Sequence, residues 1–321
     1  MTEILPNIHS IQTAFDNRLL NMFLLVGQEG ALLIDSGVSN TPEEIILPYL
    51  DRLGISVEEI KWLVVTHASG DHFGGNHVLK SISPGIAIVA HKLDASSISN
   101  HSVFIKEHIT DFRNDGIPCY EIDPTDQDFI AIHGLEVSVD WEVQGDEEIH
   151  LGNNWYATLL HTPGHTPGHL MVHDPAHRAL FTGDGIMGNG VPDTKGNLNM
   201  PPSYFELDWY LETIEKVSQL SPHYILGTHY PLLFGDEALG FVEESRNFIS
   251  VMCDVILAVL SSENGPISMP TIINRVRSEI RIPGSDYQYG MSIRAHLRDL
   301  VEKGVVLKLH NKVLIGWALS N

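Results

Sequence analysis

At 321 residues, 43% of them hydrophobic and 19% charged, the chain has the composition of an ordinary soluble protein and the length for one large and one small domain. Its formal charge of −22 argues against a general nucleic-acid surface, because a polyanion binder must neutralise phosphates with Lys and Arg. No apolar run reaches the roughly 18 residues that cross a bilayer, the start Met1-Thr2-Glu3-Ile4-Leu5-Pro6 lacks a signal-peptide pattern, and the well-separated Cys119 and Cys253 exclude a disulfide framework or thiolate zinc site, so a cytoplasmic location is expected.

In chain order, residues 22–27 and 31–34 read as a hairpin closed by Gln28-Glu29-Gly30. Thr41-Pro42-Glu43-Glu44 opens a helix with Thr41 as N-cap and Pro42 at its first position. Residues 60–65 and 85–90 read as buried strands with a helix over 75–81 between them, an alternation that favours α/β layering. The rhythm recurs with strands over 148–151, 156–161, 169–173 and 178–181, then an amphipathic helix over 206–220.

Beyond about residue 243 the character changes. Helices are expected over 246–261, 269–279 and 292–303, then strands over 305–309 and 313–317 around His310-Asn311-Lys312. Charge changes with it: residues 246–321 carry 9 Lys+Arg against 6 Asp+Glu, leaving 10 against 35 over 1–245. The acidity therefore belongs to the first part, and disfavours anionic polymers as substrates while leaving room for a local basic pocket that holds one small anion.

Chemistry concentrates where strands end. Thr66-His67-Ala68-Ser69-Gly70-Asp71-His72-Phe73-Gly74-Gly75 follows the run Trp62-Leu63-Val64-Val65, and reads as a metal site. His165 in His161-Thr162-Pro163-Gly164-His165-Thr166-Pro167-Gly168, Asp184 in Leu180-Phe181-Thr182-Gly183-Asp184 and His229 in Ile225-Leu226-Gly227-Thr228-His229 each follow a strand-like run, and Asp35 lies in Leu32-Leu33-Ile34-Asp35-Ser36-Gly37. Gly74 and Gly75 allow close backbone approach where the next helix begins.

With these motifs, in this order, the chain over residues 1–235 resembles the metallo-β-lactamase superfamily of hydrolases. The resemblance implies an αββα sandwich over 1–240, followed at 245–321 by a small winged-helix-like domain. It also implies a first metal position held by His67 and His165, a second held by Asp71, His72 and His229, and Asp184 bridging both, with Asp35 as the first acidic marker. The family pattern is H-x-H-x-D-H, and Ser69 stands where its second histidine would be. A hydroxyl is a poor substitute for imidazole, so one tightly held ion at Asp71, His72, Asp184 and His229 is favoured over two. The ligand set suits Zn²⁺, and also Fe²⁺ or Mn²⁺.

The implied activity is hydrolysis of a small ester, thioester or lactone by a metal-bound hydroxide. Asp71 orients or accepts the proton, and Ser69, His67 or His165 stabilises the oxyanion. The loop from Gly185 to Tyr204 is expected to line the pocket entrance, with Met187, Tyr204 and Phe73 favouring an apolar substrate portion.

His9, His77, His91, His101, His108, His133, His150, His173, His223 and His310 are read as surface or satisfied core residues, and His169 as bonding backbone or the loops on the Asp35 side. A winged helix that binds DNA would display Arg294, His296 and Arg298; the weak positive charge favours instead a segment that roofs the active site or packs in a homodimer. Two rival readings are a metal-dependent endoribonuclease, which the charge disfavours, and a non-catalytic binding module with a degraded site, motivated by Ser69. β-Lactam hydrolysis is disfavoured because those enzymes are usually exported.

Overall fold

A computed structural model describes residues 2–119, 121–310 and 315–320. Seven strands, β1 (Thr2–Leu5), β2 (Ile8–Phe15), β3 (Arg18–Val26), β4 (Ala31–Ile34), β5 (Ile60–Val64), β6 (Ala87–His91) and β7 (Trp141–Val143), form one sheet in sequence order. It is antiparallel from β1 to β4 and parallel from β4 to β7.

A second sheet contains β8 (Glu147–Gly152), β9 (Trp155–His161), β10 (Leu170–Asp174) and β11 (Ala179–Gly183). After a small ribbon of β12 (Val191–Pro192) and β13 (Leu198–Met200), β14 (Tyr224–Gly227) and β15 (Leu233–Phe234) complete it in the order β15-β14-β11-β10-β9-β8.

The apolar runs of β4 and β11, and of β5 from Trp62 on, follow from burial on both faces. Leu32, Ile34, Val64 and Phe181 meet between the two sheets with Leu159 and Val172, whereas Leu33, Leu63 and Val65 face helices over 42–53 and 76–82. On the far side, Leu180 and Ile225 pack against helix Leu207–Leu220 through Tyr210, Ile214 and Val217. Two sheets with helices outside each make the αββα sandwich the motifs imply. Among the described residues, no helix is long and apolar enough to cross a membrane.

Several local expectations shift. The hairpin turn closes with Gly27 N–H donating to Gly30 O at 3.2 Å, but β3 starts four residues before the expected 22, and pairs with β2 from Arg18 to Leu25. Thr41 is not a side-chain N-cap: its own backbone is already helical, and its hydroxyl accepts from the Val38 N–H at 3.0 Å. The helix expected from 246 starts at Asp236 and runs to Ser261, because Ala238, Phe241, Val242 and Ser245 continue the buried stripe beneath an exposed acidic face.

The C-terminal part closes a further core. Helices Asp236–Ser261, Met269–Ile280 and Asp286–Glu302 pack with Phe112, Ile117 and Phe205 from the first part. The helix expected from 292 starts at Asp286, capped by Ser285 and Gln288 in a reciprocal capping box. Strands β17 (Val306–His310) and β18 (Ile315–Leu319) form the expected hairpin, and β16 (Ile267–Ser268) adds a third strand beside β18. Asn311 and Lys312 of the expected turn lie outside the described residues.

Candidate metal centre

Every motif residue sits just past the end of a strand: Asp35 after β4, His67, Asp71 and His72 after β5, His165 after β9, Asp184 after β11 and His229 after β14. The rigid strands therefore deliver six side chains to one edge of the sandwich, all of them buried: His67, Asp71, His72, His165, Asp184 and His229. The close approach at Gly74 is real, since a Cβ there would lie 2.0 Å from the Ile132 carbonyl oxygen.

The side chains converge. His229 Nε2 lies 3.5 Å from Asp71 Oδ2 and 3.4 Å from Asp184 Oδ2. His72 Nε2 lies 3.9 Å from Asp71 Oδ1 and 3.7 Å from Asp184 Oδ2, and His165 Nε2 lies 3.9 Å from Asp184 Oδ2. Ligand atoms of Asp71, His72 and His229 lie within 4.8 Å of one another, as do those of His67, His72 and Asp184. Ser69 lines the cavity, and its hydroxyl donates to Asp71 Oδ1 at 2.8 Å.

The outer nitrogens decide what the inner ones offer. Nδ1 of His229 meets the Leu19 carbonyl at 2.7 Å, Nδ1 of His165 meets the Ser203 carbonyl at 2.7 Å, and Nδ1 of His72 meets Asp35 Oδ2 at 2.8 Å. These oxygens only accept, so each Nδ1 carries a proton and each Nε2 faces the cluster as the nitrogen a cation would take. His67 follows the same pattern with Nδ1 at 3.1 Å from Thr66 Oγ1, whose own hydroxyl donates to Asp35 Oδ2 at 2.9 Å. Asp35, held in left-handed backbone at φ 61°, thus orients two of the histidines, a supporting arrangement typical of metal sites.

Electrostatics show how negative the cluster is. Burial resists a charge on His72, but Asp35, Asp71 and Asp184 outweigh it and hold its pKa well above the ordinary value, so these carboxylates favour a positive charge at His72, the place a bound cation would take. Burial and the nearby His72, His165 and His169 push His67 well below it. Burial also works against the Asp184 carboxylate, yet His229 and His72 prevail and keep its pKa well below the usual range. A buried carboxylate pair among lone-pair nitrogens is a negative pocket that a cation would neutralise. His67 Nε2, His72 Nε2 and Asp184 Oδ1 are buried without hydrogen-bond partners among the described residues. Imidazole nitrogens with carboxylate oxygens are the donor set of zinc and similar divalent ions, so the residues present fit a metal.

Other side chains around the site carry no mark in the sequence. His169 bonds backbone as expected, but its Nε2 accepts from the Asp184 N–H at 3.2 Å rather than reaching the Asp35 side. Asp94 is buried between the two histidine loops, its Oδ2 accepting from Ala68 N–H at 3.0 Å and Thr166 Oγ1 at 2.6 Å, and its Oδ1 from Gly168 N–H at 2.6 Å. His108 and His133, read as structural, line the cavity of about 270 Å³ beside the cluster. Burial lowers their pKa values to about 3 and about 4, so both are neutral.

The loop residues expected to line that cavity do not. Met187 and Tyr204 are fully buried in the core beside helix Leu207–Leu220, and Phe73 packs in the core beneath the first sheet. Met200, Ser203 and Phe205 of the same loop line it instead, opposite Tyr287, Gln288 and Met291 of the C-terminal helix Asp286–Glu302. Of that helix's three candidate basic residues only Arg298 is exposed, and all three are engaged. Arg294 Nε donates to Asp115 Oδ2 at 2.5 Å, His296 Nε2 meets Tyr204 Oη at 2.8 Å, and Arg298 pairs with Glu206 at 2.5 Å.

Comparison with known proteins follows the same lines. The profile of the metallo-beta-lactamase superfamily matches residues 17–229. A metallo-beta-lactamase family protein from Thermus thermophilus superposes with a TM-score of 0.78 at 16% identity, covering 99% of this chain and 100% of that one. A beta-lactamase domain protein from Burkholderia ambifaria gives 0.73 at 17% identity over 99% and 94%. An archaeal metallo-beta-lactamase superfamily protein from Sulfolobus tokodaii gives 0.57 at 20% over 91% and 98%.

Proposed function

The chain belongs to the metallo-beta-lactamase superfamily, whose members are in general hydrolytic metalloenzymes, and from that premise we propose that it hydrolyses a small ester, thioester or lactone with one tightly bound divalent metal, Zn²⁺ in the first instance and Fe²⁺ or Mn²⁺ otherwise. The observation that carries this reading is the convergence of imidazole Nε2 atoms on Asp71 and Asp184, each imidazole fixed from behind through Nδ1.

In this reading Asp71, His72, Asp184 and His229 hold the ion, and His67 and His165 with Asp184 form a weaker second position. A bound divalent ion would lower the pKa of water to about 7 and polarise the carbonyl under attack. The chain's own groups do the rest. Asp71 Oδ1 is engaged by the Ser69 hydroxyl, which leaves Oδ2 as the oxygen that orients the attacking water and takes its proton. Ser69 thereby acts through Asp71: its proton points at the carboxylate, and a histidine in its place would present a ring nitrogen to the first position.

Phe104, Ile109, Ile122, Phe205 and Met291 give the cavity an apolar wall suited to an acyl or aryl group, and the helix from Asp286 roofs it. This division into a catalytic part over 1–240 and a roof over 245–321 accords with the ion pairs that Arg294 and Arg298 make to Asp115 and Glu206 of the first part, which engage guanidinium groups that an endoribonuclease reading would need free for phosphates. Free thiols at Cys119 and Cys253 accord with a cytoplasmic site of action.

The test is turnover of an ester, thioester and lactone panel by the wild type and by Asp71→Ala and His229→Ala. Loss of activity in both variants is expected. An unchanged rate in either would remove the mechanism, and inertness of the wild type across the panel would favour a binding module.

A further inference from the structure

Arg18 begins β3 directly after the tight turn at Asp16 and Asn17, both with positive φ, and its side chain is 11% exposed where it lines the cavity beside the metal cluster. A guanidinium buried to that extent normally has a carboxylate partner. Among the described residues the carboxylate it pairs with is Asp16, at 3.8 Å, whose own side chain is 77% exposed, and Asp71 feels the guanidinium only at longer range. Its Nε is buried with no hydrogen-bond partner, and Nη1 donates at 3.4 Å to the thioether sulfur of Met200, a weak acceptor.

Gln288 points its amide at the same sulfur. Its Oε1 accepts the Ser285 N–H at 2.8 Å within the capping box, which fixes which end of the amide is which and leaves Nε2 directed at Met200 Sδ, 2.7 Å away. Two strong donors, from opposite ends of the chain, thus share one poor acceptor on the wall of the catalytic cavity. The turn that carries Arg18 is pinned in place, since Thr194 donates to the Asn17 carbonyl at 2.9 Å and to its side chain at 3.1 Å.

We infer that Arg18 and Gln288 form a seat for a carboxylate on the substrate, remote from the bond that is cleaved, so that the substrate is a monoanionic ester, thioester or lactone rather than a neutral one. This rests on the hydrolase reading for its scissile bond, but the seat itself is a binding site. A carboxylate supplies the strong acceptors that Met200 does not, receiving one charge-assisted bond from the guanidinium and a second from the amide. A single cation with one amide matches a single negative charge, and the net charge of −22 disfavours larger polyanions. The apolar wall formed by Phe104, Ile109 and Phe205 takes the body of such a molecule.

The experiment is calorimetric binding of 3-phenylpropionate, its neutral amide and phenyl phosphate to the protein as purified, in wild type, Arg18→Met, Arg18→Lys and Gln288→Leu. The wild type should bind the carboxylate about 10- to 100-fold more tightly than the amide, the range that hydrogen bonds to a charged group cover. Arg18→Met should lose that preference, Arg18→Lys should keep part of it, and Gln288→Leu, which leaves the buried charge in place, should lose a smaller factor. Equal affinity for carboxylate and amide in the wild type would overturn the seat. So would an Arg18→Met or, should that variant not fold, a Gln288→Leu variant with undiminished preference. Tighter binding of phenyl phosphate than of the carboxylate would overturn the carboxylate assignment. Because binding is read without turnover, failure of the hydrolase reading would leave this result standing.

Discussion

Asp94 ties together the two loops that carry His67 and His165, and replacing it by Ala tests whether that tie matters. Its carboxylate accepts from the Ala68 and Gly168 backbone N–H groups at 3.0 and 2.6 Å and from the Thr166 hydroxyl at 2.6 Å. Burial raises its pKa to about 6 and these three donors limit the rise, so the group is largely charged at pH 7. In the Ala variant the Thr166 hydroxyl can rotate toward another acceptor, but the two backbone donors cannot. Each buried donor left unsatisfied costs about 1–3 kcal/mol, so a loss of about 3 kcal/mol is expected, or a fall in Tm of about 4–5 °C for a chain of this size. Asp94→Asn keeps one accepting oxygen and should lose about half as much. Thermal unfolding with parallel metal analysis is the assay: both variants should unfold earlier and retain less metal. A fall of less than about 2 °C for Asp94→Ala would refute the reasoning, since it would mean that the loops hold their geometry without the carboxylate.

Ser69→Ala should fold normally and lower kcat by about tenfold with little change in KM, because it removes one hydrogen bond of roughly 1–1.5 kcal/mol to Asp71 and nothing else; an unchanged kcat would contradict the positioning role. His296 is buried on the inner face of the roof helix against Tyr204, and burial lowers its pKa to about 4. A folded-state pKa below the unfolded value of 6.5 means that the unfolded chain binds the extra proton, so stability is complete above about pH 6.5 and falls as pH drops toward 4, by up to about 3 kcal/mol from this residue. His296→Gln should flatten part of the decline in Tm between about pH 6.5 and 4.5, and an identical pH profile would argue against it.

What could be read from sequence and what could not divides along physical lines. Asp35, His67, Asp71, His72, Asp184 and His229 follow apolar runs that are strands because both their faces are buried, so chain order alone put them at one sheet edge. Arg18, His108 and His133 carry no such signature. They reach the cavity only because the β2–β3 turn and helices between 95 and 133 fold over it, contacts with no short-range pattern. Asp94 follows β6, but its partners are backbone groups on two other loops, and a lone Asp announces nothing of them. Arg294, His296 and Arg298 look like a basic surface in one dimension, yet in three Arg294 and His296 turn inward to Asp115 and Tyr204, 179 and 92 residues away along the chain, and the exposed Arg298 is neutralised by Glu206, 92 residues away. Met187 and Tyr204 failed as pocket residues for the converse reason, since loop hydrophobes were claimed by the core.

Metal content per chain in protein purified without chelators, for wild type and Ser69→His, bears most directly on the central claim. About one ion in the wild type, rising toward two in the variant, is the result expected if Asp71, His72, Asp184 and His229 hold a single ion and the Ser69 hydroxyl is spent on Asp71. Two ions already present in the wild type would contradict the single-ion arrangement, and none would contradict the metal centre itself.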